Sequence, residues 1–445
     1  MLNKYIIYTP VIIFLVLVLS NNYFWTSIGL AYTVYVILDF TNRIGKEIPI
    51  PQLMLLIAAI QWILAPWFDY ITPETHYLYH MYINEYAYMK FIVPGLLLMH
   101  LGISIFYKRT SFEDLKYNII KVISLFPTLP YIIIGISIFL SFIGSFLPAS
   151  LQFVVYLLIN IKYIGALYLF LGQKKNRWLI FVLIMSLSLI TSIATGMFHD
   201  FLLWAILSFT FISYELNIKY FSKITIVFIG MLFTISLQDI KPQYRNLMKE
   251  SKIKESKTDL FFHLLFEEWK DGTIFNKKKQ NTINIRFNQG WIISRIMWYI
   301  PSQKPFTNGT TIKEAINATL IPRFLNPNKA VAGGRKNFQA LTGLKLEKGT
   351  SMGISLAGEG WANFGYWGGI LFLFSWGLLI GWFWKFLITK SITTYSTLLV
   401  WSPLIFQQVI KAETELLDVL NHLVKATILV FLILWLLKKQ FNVSL

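Results

Sequence analysis

Long uninterrupted apolar runs constrain this chain more than any other feature. They begin near residues 5, 24, 50, 90, 124, 151, 178, 201 and 224, and again near 364, 396 and 420. Each is roughly 16–25 residues long, the length that a hydrocarbon core of about 30 Å asks of a helix. A lipid-facing backbone must satisfy its own hydrogen bonds, so such runs read as helices. The expectation is an all-α polytopic membrane protein of about twelve transmembrane helices. Only 14% of the 445 residues are charged, where a soluble domain carries about a quarter. The first run (Lys4, then Tyr5 to Leu19) lacks a small-residue cleavage site and leads at once into another, so it reads as a span rather than a signal peptide.

The loops orient these spans. With the N-terminus inside, the inner loops hold Arg43 and Lys46, then Lys108, Arg109, Lys116 and Lys121, then Lys174, Lys175 and Arg177. Lys219, Lys223, Lys385, Lys390, Lys438 and Lys439 continue the series. The outer loops, among them Asp69–Glu85, Gly196–Asp200 and Glu413–Asp418, are acidic or uncharged by comparison. Short loops that alternate in this way follow the positive-inside rule. Both termini are therefore expected on the cytoplasmic side.

Between Lys241 and Trp361 the pattern breaks into a polar insert, which the same alternation puts outside. It holds 20 Lys and Arg against 9 Asp and Glu, a balance of +11 out of +18 for the whole chain. Amphipathic pieces such as Leu260 to Trp269 suggest a small helical cap rather than a disordered loop. Three regions follow: membrane helices 1–9 over 1–240, the basic extracytoplasmic cap over 241–361, and helices 10–12 over 362–445. Cations on the outer face suit an anionic ligand, and arginine suits phosphate because its planar fork donates two parallel hydrogen bonds. A solvated surface or contact with anionic headgroups is the alternative. The chain has no cysteine, which excludes disulfides, thiolate metal sites and cysteine nucleophiles.

Three stretches of the insert carry a resemblance. Ile321-Pro322-Arg323-Phe324-Leu325-Asn326-Pro327-Asn328-Lys329 is a proline-flanked arginine segment. Arg323 is followed by ten residues and then Gly334. Glu359-Gly360-Trp361-Ala362-Asn363-Phe364-Gly365-Tyr366-Trp367-Gly368 leads into the next span. Together with the loop's position, these resemble the Wzy-type O-antigen and exopolysaccharide repeat-unit polymerases. The family often carries an upstream outer-loop arginine, where this chain has His199 and Asp200.

The resemblance implies inverting, metal-independent glycosyl transfer at the outer face of the bacterial cytoplasmic membrane. An undecaprenyl-diphosphate-linked oligosaccharide would be the donor and a sugar hydroxyl the acceptor. Arg286, Arg323 and Arg335, with Arg295 and Lys336 behind them, would bind the diphosphate and stabilise its developing charge. Glu359 would be the base, or else only cap the helix that follows. His199, Asp200, Asp239, Lys162 and Asn363 are secondary candidates. No cofactor is implied; the partners are membrane lipids and a chain-length regulator or flippase, not nucleic acid. An O-antigen ligase and a lipid-linked glycan transporter are the rival classes. His76 and His80, at i and i+4 among tyrosines, read as part of an interfacial aromatic belt, with zinc or sugar stacking as lesser readings.

Overall fold

The computed structural model describes residues 2–20, 23–72, 77–148, 151–249, 256–270, 287–321, 325–326, 328–347 and 350–441. Arg286, Arg323 and His76 lie outside them. Among the described residues the regular structure is helical, and the one β pairing is an isolated bridge between Ile44 and Glu47.

Every expected apolar run forms a helix, yet not every helix is long enough to cross a membrane. Among the described residues eight qualify by length and composition: Phe24–Arg43, Ile50–Ile71, Glu85–Phe106, Gln152–Leu171, Arg177–Thr195, Tyr220–Leu247, Ser355–Thr393 and Leu416–Lys439. A ninth is a pair, Phe112–Leu125 and Leu129–Ile143, bent by 88°. Tyr5–Leu19, His199–Glu215 and Leu398–Phe406 are shorter.

Ser355–Thr393 is 39 residues long, about twice what one crossing needs. It breaks at Gly365, whose φ of 67° and ψ of −154° are open essentially to glycine alone. A Cβ on Gly360 would meet Phe372 at 2.8 Å and the Gly369 carbonyl at 3.2 Å, so the chain reverses tightly there. Residues 355–364 form a half-helix folded back on the long helix 366–393.

That long helix packs along Glu85–Phe106 in the same direction. Phe91 lies by Gly369, Gly95 by Leu373, Met99 by Gly377 and Ile103 by Gly381. Glycines on both helices let the backbones touch, since lipid offers no hydrophobic drive to hold helices together. A Cβ on Gly381 would sit 2.5 Å from the Ile103 carbonyl oxygen, and one on Gly102 2.6 Å from that of Phe374.

Two further irregularities shape the interior. Ile60–Leu64 is a π-helical turn. Pro66 has no N–H for the Trp62 carbonyl, and the Tyr88 hydroxyl donates to it instead at 2.9 Å. Pro403 likewise leaves the Leu399 carbonyl to the Ser402 hydroxyl at 2.7 Å. After Phe406 the chain runs through the non-helical residues 407–415 before Leu416–Phe441 begins.

The insert is helical where it is described. Lys257–Lys270 buries Leu260, Phe261 and Leu264 against Ile193, Phe198 and Tyr244, the amphipathic face the sequence suggests. Gly290–Tyr299, Thr310–Leu320 and Arg335–Thr342 follow. Trp291, Ile296, Phe338 and Leu341 share a small core with Ile354 and Ala362, so the cap is packed onto the half-helix.

Candidate functional site

The half-helix 355–364 carries Glu359 and Asn363 one turn apart, both buried. Glu359 Oε1 accepts from the Thr311 hydroxyl and Oε2 from the Leu416 backbone N–H, each at 2.7 Å. Asn363 Nδ2 donates to Thr311 Oγ1 and to the Glu359 carbonyl, both at 2.8 Å. Its Oδ1 accepts from Thr307 Oγ1 at 2.6 Å. Glu359 and Asn363 therefore tie three pieces together: the half-helix, the cap helix Thr310–Leu320 and the start of the last helix.

Beside this knot lies a second buried carboxylate, Glu415. Its Oε1 accepts from Asn337 Nδ2 at 3.0 Å. Its Oε2 has no hydrogen-bond partner among the described residues. Burial, then the neighbouring charges of Glu359 and Asp418, push its carboxyl up to about 8, while the Asn337 hydrogen bond pulls the other way. Glu415 borders a small, shallow cleft with room for about one water, lined also by Thr311, Glu314, Lys336 and Asn337. Lys336 Nζ is exposed and pairs with Glu314 Oε2 at 3.0 Å across it. The Gly333 N–H donates to Asp418 Oδ1 at 2.9 Å.

The loop 407–415 that delivers Glu415 is held from its other side. Lys411 Nζ donates to Asp200 Oδ1 at 3.1 Å, and the Tyr156 hydroxyl donates to Asp200 Oδ2 at 2.8 Å. Gln407 Nε2 in turn donates to the Tyr156 oxygen at 2.8 Å. Trp62, on the π-helical turn, donates its indole N–H to the Ala412 carbonyl at 3.2 Å. His199 Nδ1 lies 3.8 Å from Glu413 Oε1.

The residues expected from sequence are thus dispersed. Lys336 lines the cleft, Glu359 and Asn363 lie behind it on the lining residue Thr311, and His199 and Asp200 anchor the loop beside it. Arg335 turns away, its Nη2 donating to the Leu346 carbonyl at 2.7 Å. Arg295 donates from Nε to the Thr342 carbonyl at 2.8 Å and stacks on Tyr82, Trp298 and Tyr299. Lys162 is buried within Gln152–Leu171, its ammonium 5.3 Å over the Tyr163 ring. Asp239 sits half-buried on Tyr220–Lys249. Among the described residues no group of three His, Asp or Glu is arranged to hold a metal ion.

Sequence reasoning missed Glu415, Asn337, Thr311 and Lys411. A signal for the first was present: Glu413, Glu415 and Asp418 crowd three acids into six residues of a basic chain. That stretch reads as an ordinary outer loop until the structure turns Glu415 inward. No family model matches the chain, and neither does any curated protein or solved structure.

Proposed function

We propose that this protein is a membrane glycosyltransferase that joins polyprenyl-diphosphate-linked oligosaccharide units, the reaction that its sequence resemblance implies. The observation that carries the reading is Glu415, a buried carboxyl near 8 that borders a cleft bearing a lysine at the junction of cap and membrane helices. A general base works best when its pKa lies near the working pH. Glu359 meets that need less well, because both of its oxygens already accept hydrogen bonds inside the fold. Its part in this reading is to position: it joins Thr311 to Leu416, the residue directly after Glu415.

In this scheme Glu415 takes the proton of the acceptor hydroxyl as that oxygen bonds to the donor's anomeric carbon. The bond from that carbon to the diphosphate breaks, and the diphosphate leaves with the electron pair. Lys336, the cation on the cleft, offsets its charge. The reading carries with it twelve crossings, a cap on the outer face of the bacterial cytoplasmic membrane, and both termini inside.

A transporter of lipid-linked glycan is the second reading, favoured by the Asp200–Lys411–Tyr156 network among the helices. Extraction of lipid-linked glycans from a Glu415→Gln strain decides between them. The polymerase reading expects single units on the outer leaflet and no long chains. Single units stranded on the inner leaflet would favour transport, and long chains still on the carrier would favour a ligase. Normal long chains would end Glu415's role as base.

A further inference from the structure

Arg295 has an arrangement that neither its sequence context nor the cleft explains. Its guanidinium carbon lies 4.7 Å from the centre of the Tyr82 ring, 4.4 Å from Trp298 and 5.7 Å from Tyr299. Only its Nε is engaged in a hydrogen bond, to the Thr342 carbonyl, so Nη1 and Nη2 have no hydrogen-bond partner among the described residues. The rings that frame it stand at the edge of the cap core: Trp298 is 41% exposed, Tyr299 is half-buried against that core, and half-buried Tyr82 is already stacked by His80 at 4.2 Å.

The geometry points to a saccharide-binding shelf at the edge of the cap, made by Trp298 and Tyr299 around the Nη edge of Arg295, with Tyr82 of the loop before Glu85–Phe106 packed on the guanidinium to hold it in place. A sugar ring presents an apolar C–H face and a rim of hydroxyls or carboxylate. Partly exposed aromatic faces match the first, being apolar bodies at a wet boundary. A guanidinium with two uncommitted amino groups matches the second, through paired parallel hydrogen bonds. The stacking also holds the fork in place, so little freedom is lost when a ligand binds.

The surroundings favour a glycan over a lipid tail. The helix that carries Trp298 runs directly into Ser302, Gln303 and Lys304, an exposed polar turn. Lys304 adds a second cation 5.9 Å from the Tyr299 ring. An acidic saccharide is therefore the better fit.

The shelf and the cleft border one short helix, Arg335–Thr342. Asn337 near its start faces Glu415, and the Thr342 carbonyl at its end holds Arg295. Five residues separate them, about 8 Å along the axis. A glycan chain extending from the cleft would follow this helix to reach the shelf. This last step rests on the polymerase reading; saccharide binding itself does not.

The test uses the purified full-length protein in detergent micelles, titrated with an oligogalacturonate hexamer and with cellohexaose. Wild type should bind the acidic hexamer more tightly than the neutral one. Trp298→Ala should weaken both by about tenfold or more, and Trp298→Phe should restore much of the loss. Arg295→Gln should erase the preference for the acidic probe, with Arg295→Lys recovering part. The inference is overturned if wild type binds neither probe, or if Trp298→Ala and Arg295→Gln bind as wild type does. It also falls if Arg295→Gln lowers affinity for phosphatidylglycerol nanodiscs while saccharide binding is unchanged, since the shelf would then be a headgroup contact. Glu415→Gln should keep hexamer binding while chain growth stops. Chain growth that persists in that variant sinks the assigned base and leaves the shelf standing.

Discussion

At the scale of single residues, the two buried glutamates differ in what surrounds them, and two predictions follow from that difference. Glu415 carries a raised pKa of about 8, against an ordinary glutamate value near 4.3 in the unfolded chain. Its folded form binds the proton more tightly. The stability this brings is fully present below about pH 4 and is lost as pH rises towards 8. Thermal unfolding in detergent should therefore show wild type losing stability between pH 5 and pH 8 relative to Glu415→Gln, with little further change above. Parallel curves for the two proteins would refute the assignment. If the protein is the polymerase proposed, its rate of chain extension should rise over the same interval, because a base works only when deprotonated. Glu359 should respond differently to the same substitution. Both of its oxygens accept hydrogen bonds, from Thr311 and Leu416, and Thr311 already accepts from Asn363. An amide there brings two donor hydrogens to a place that needs acceptors. Glu359→Gln should cost about 1–3 kcal/mol of stability, in line with an unmatched buried polar group. A Glu359→Gln protein as stable as wild type, yet inactive, would return the role of base to Glu359.

At the scale of elements, close approach of backbones holds the central helix pair together. Gly381 has the Ile103 carbonyl 2.5 Å from where a Cβ would stand, whereas Gly135 has nothing within 4 Å. Gly381→Leu should force the two helices apart and lower stability by at least about 2 kcal/mol, while Gly135→Leu should be close to neutral. Equal melting temperatures for the two variants would show that the pair is not held this way. The helices were legible from apolar length, which is a physical requirement of the bilayer. The breaks were not. Hydropathy does not register a positive φ, so the reversal at Gly365 lies hidden inside a segment that reads as the start of one span. Nor does it register that Pro403 and the turn after Phe406 stop a helix after nine residues, leaving 407–415 to carry Lys411, Glu413 and Glu415. The candidate site was half legible for a related reason. Glu359 and Lys336 stand out beside glycines and among cations. Thr311, Asn337 and Glu415 gain meaning only from partners 48, 78 and 78 positions away.

At the scale of the whole molecule, the parallel helix pair constrains how often the chain crosses the membrane. Glu85–Phe106 and residues 366–393 run in the same direction, so if both cross, Phe106 and Tyr366 end on opposite sides. The number of crossings between them must then be odd, provided the cap itself does not cross. Five segments stand there: the bent pair 112–143, Gln152–Leu171, Arg177–Thr195, His199–Glu215 and Tyr220–Lys249. Removing one alone gives an even number and contradicts the packing. The 17-residue His199–Glu215 is the shortest of them, and its crossing follows if the other four cross. Single cysteines can test this, because the chain has none of its own. Placed at Met197 and Asn308, they should react with an impermeant thiol reagent added to intact cells. Placed at Lys175 and Asn217, they should react only after the cells are opened. Met197 and Asn217 flank the short helix, so labelling of both from one side would remove its crossing and, by parity, require that a second of the five also fails to cross. Labelling of both Lys175 and Asn308 from outside would defeat the whole arrangement, because those two positions are separated by Arg177–Thr195, His199–Glu215 and Tyr220–Lys249, three crossings that must leave them on opposite faces.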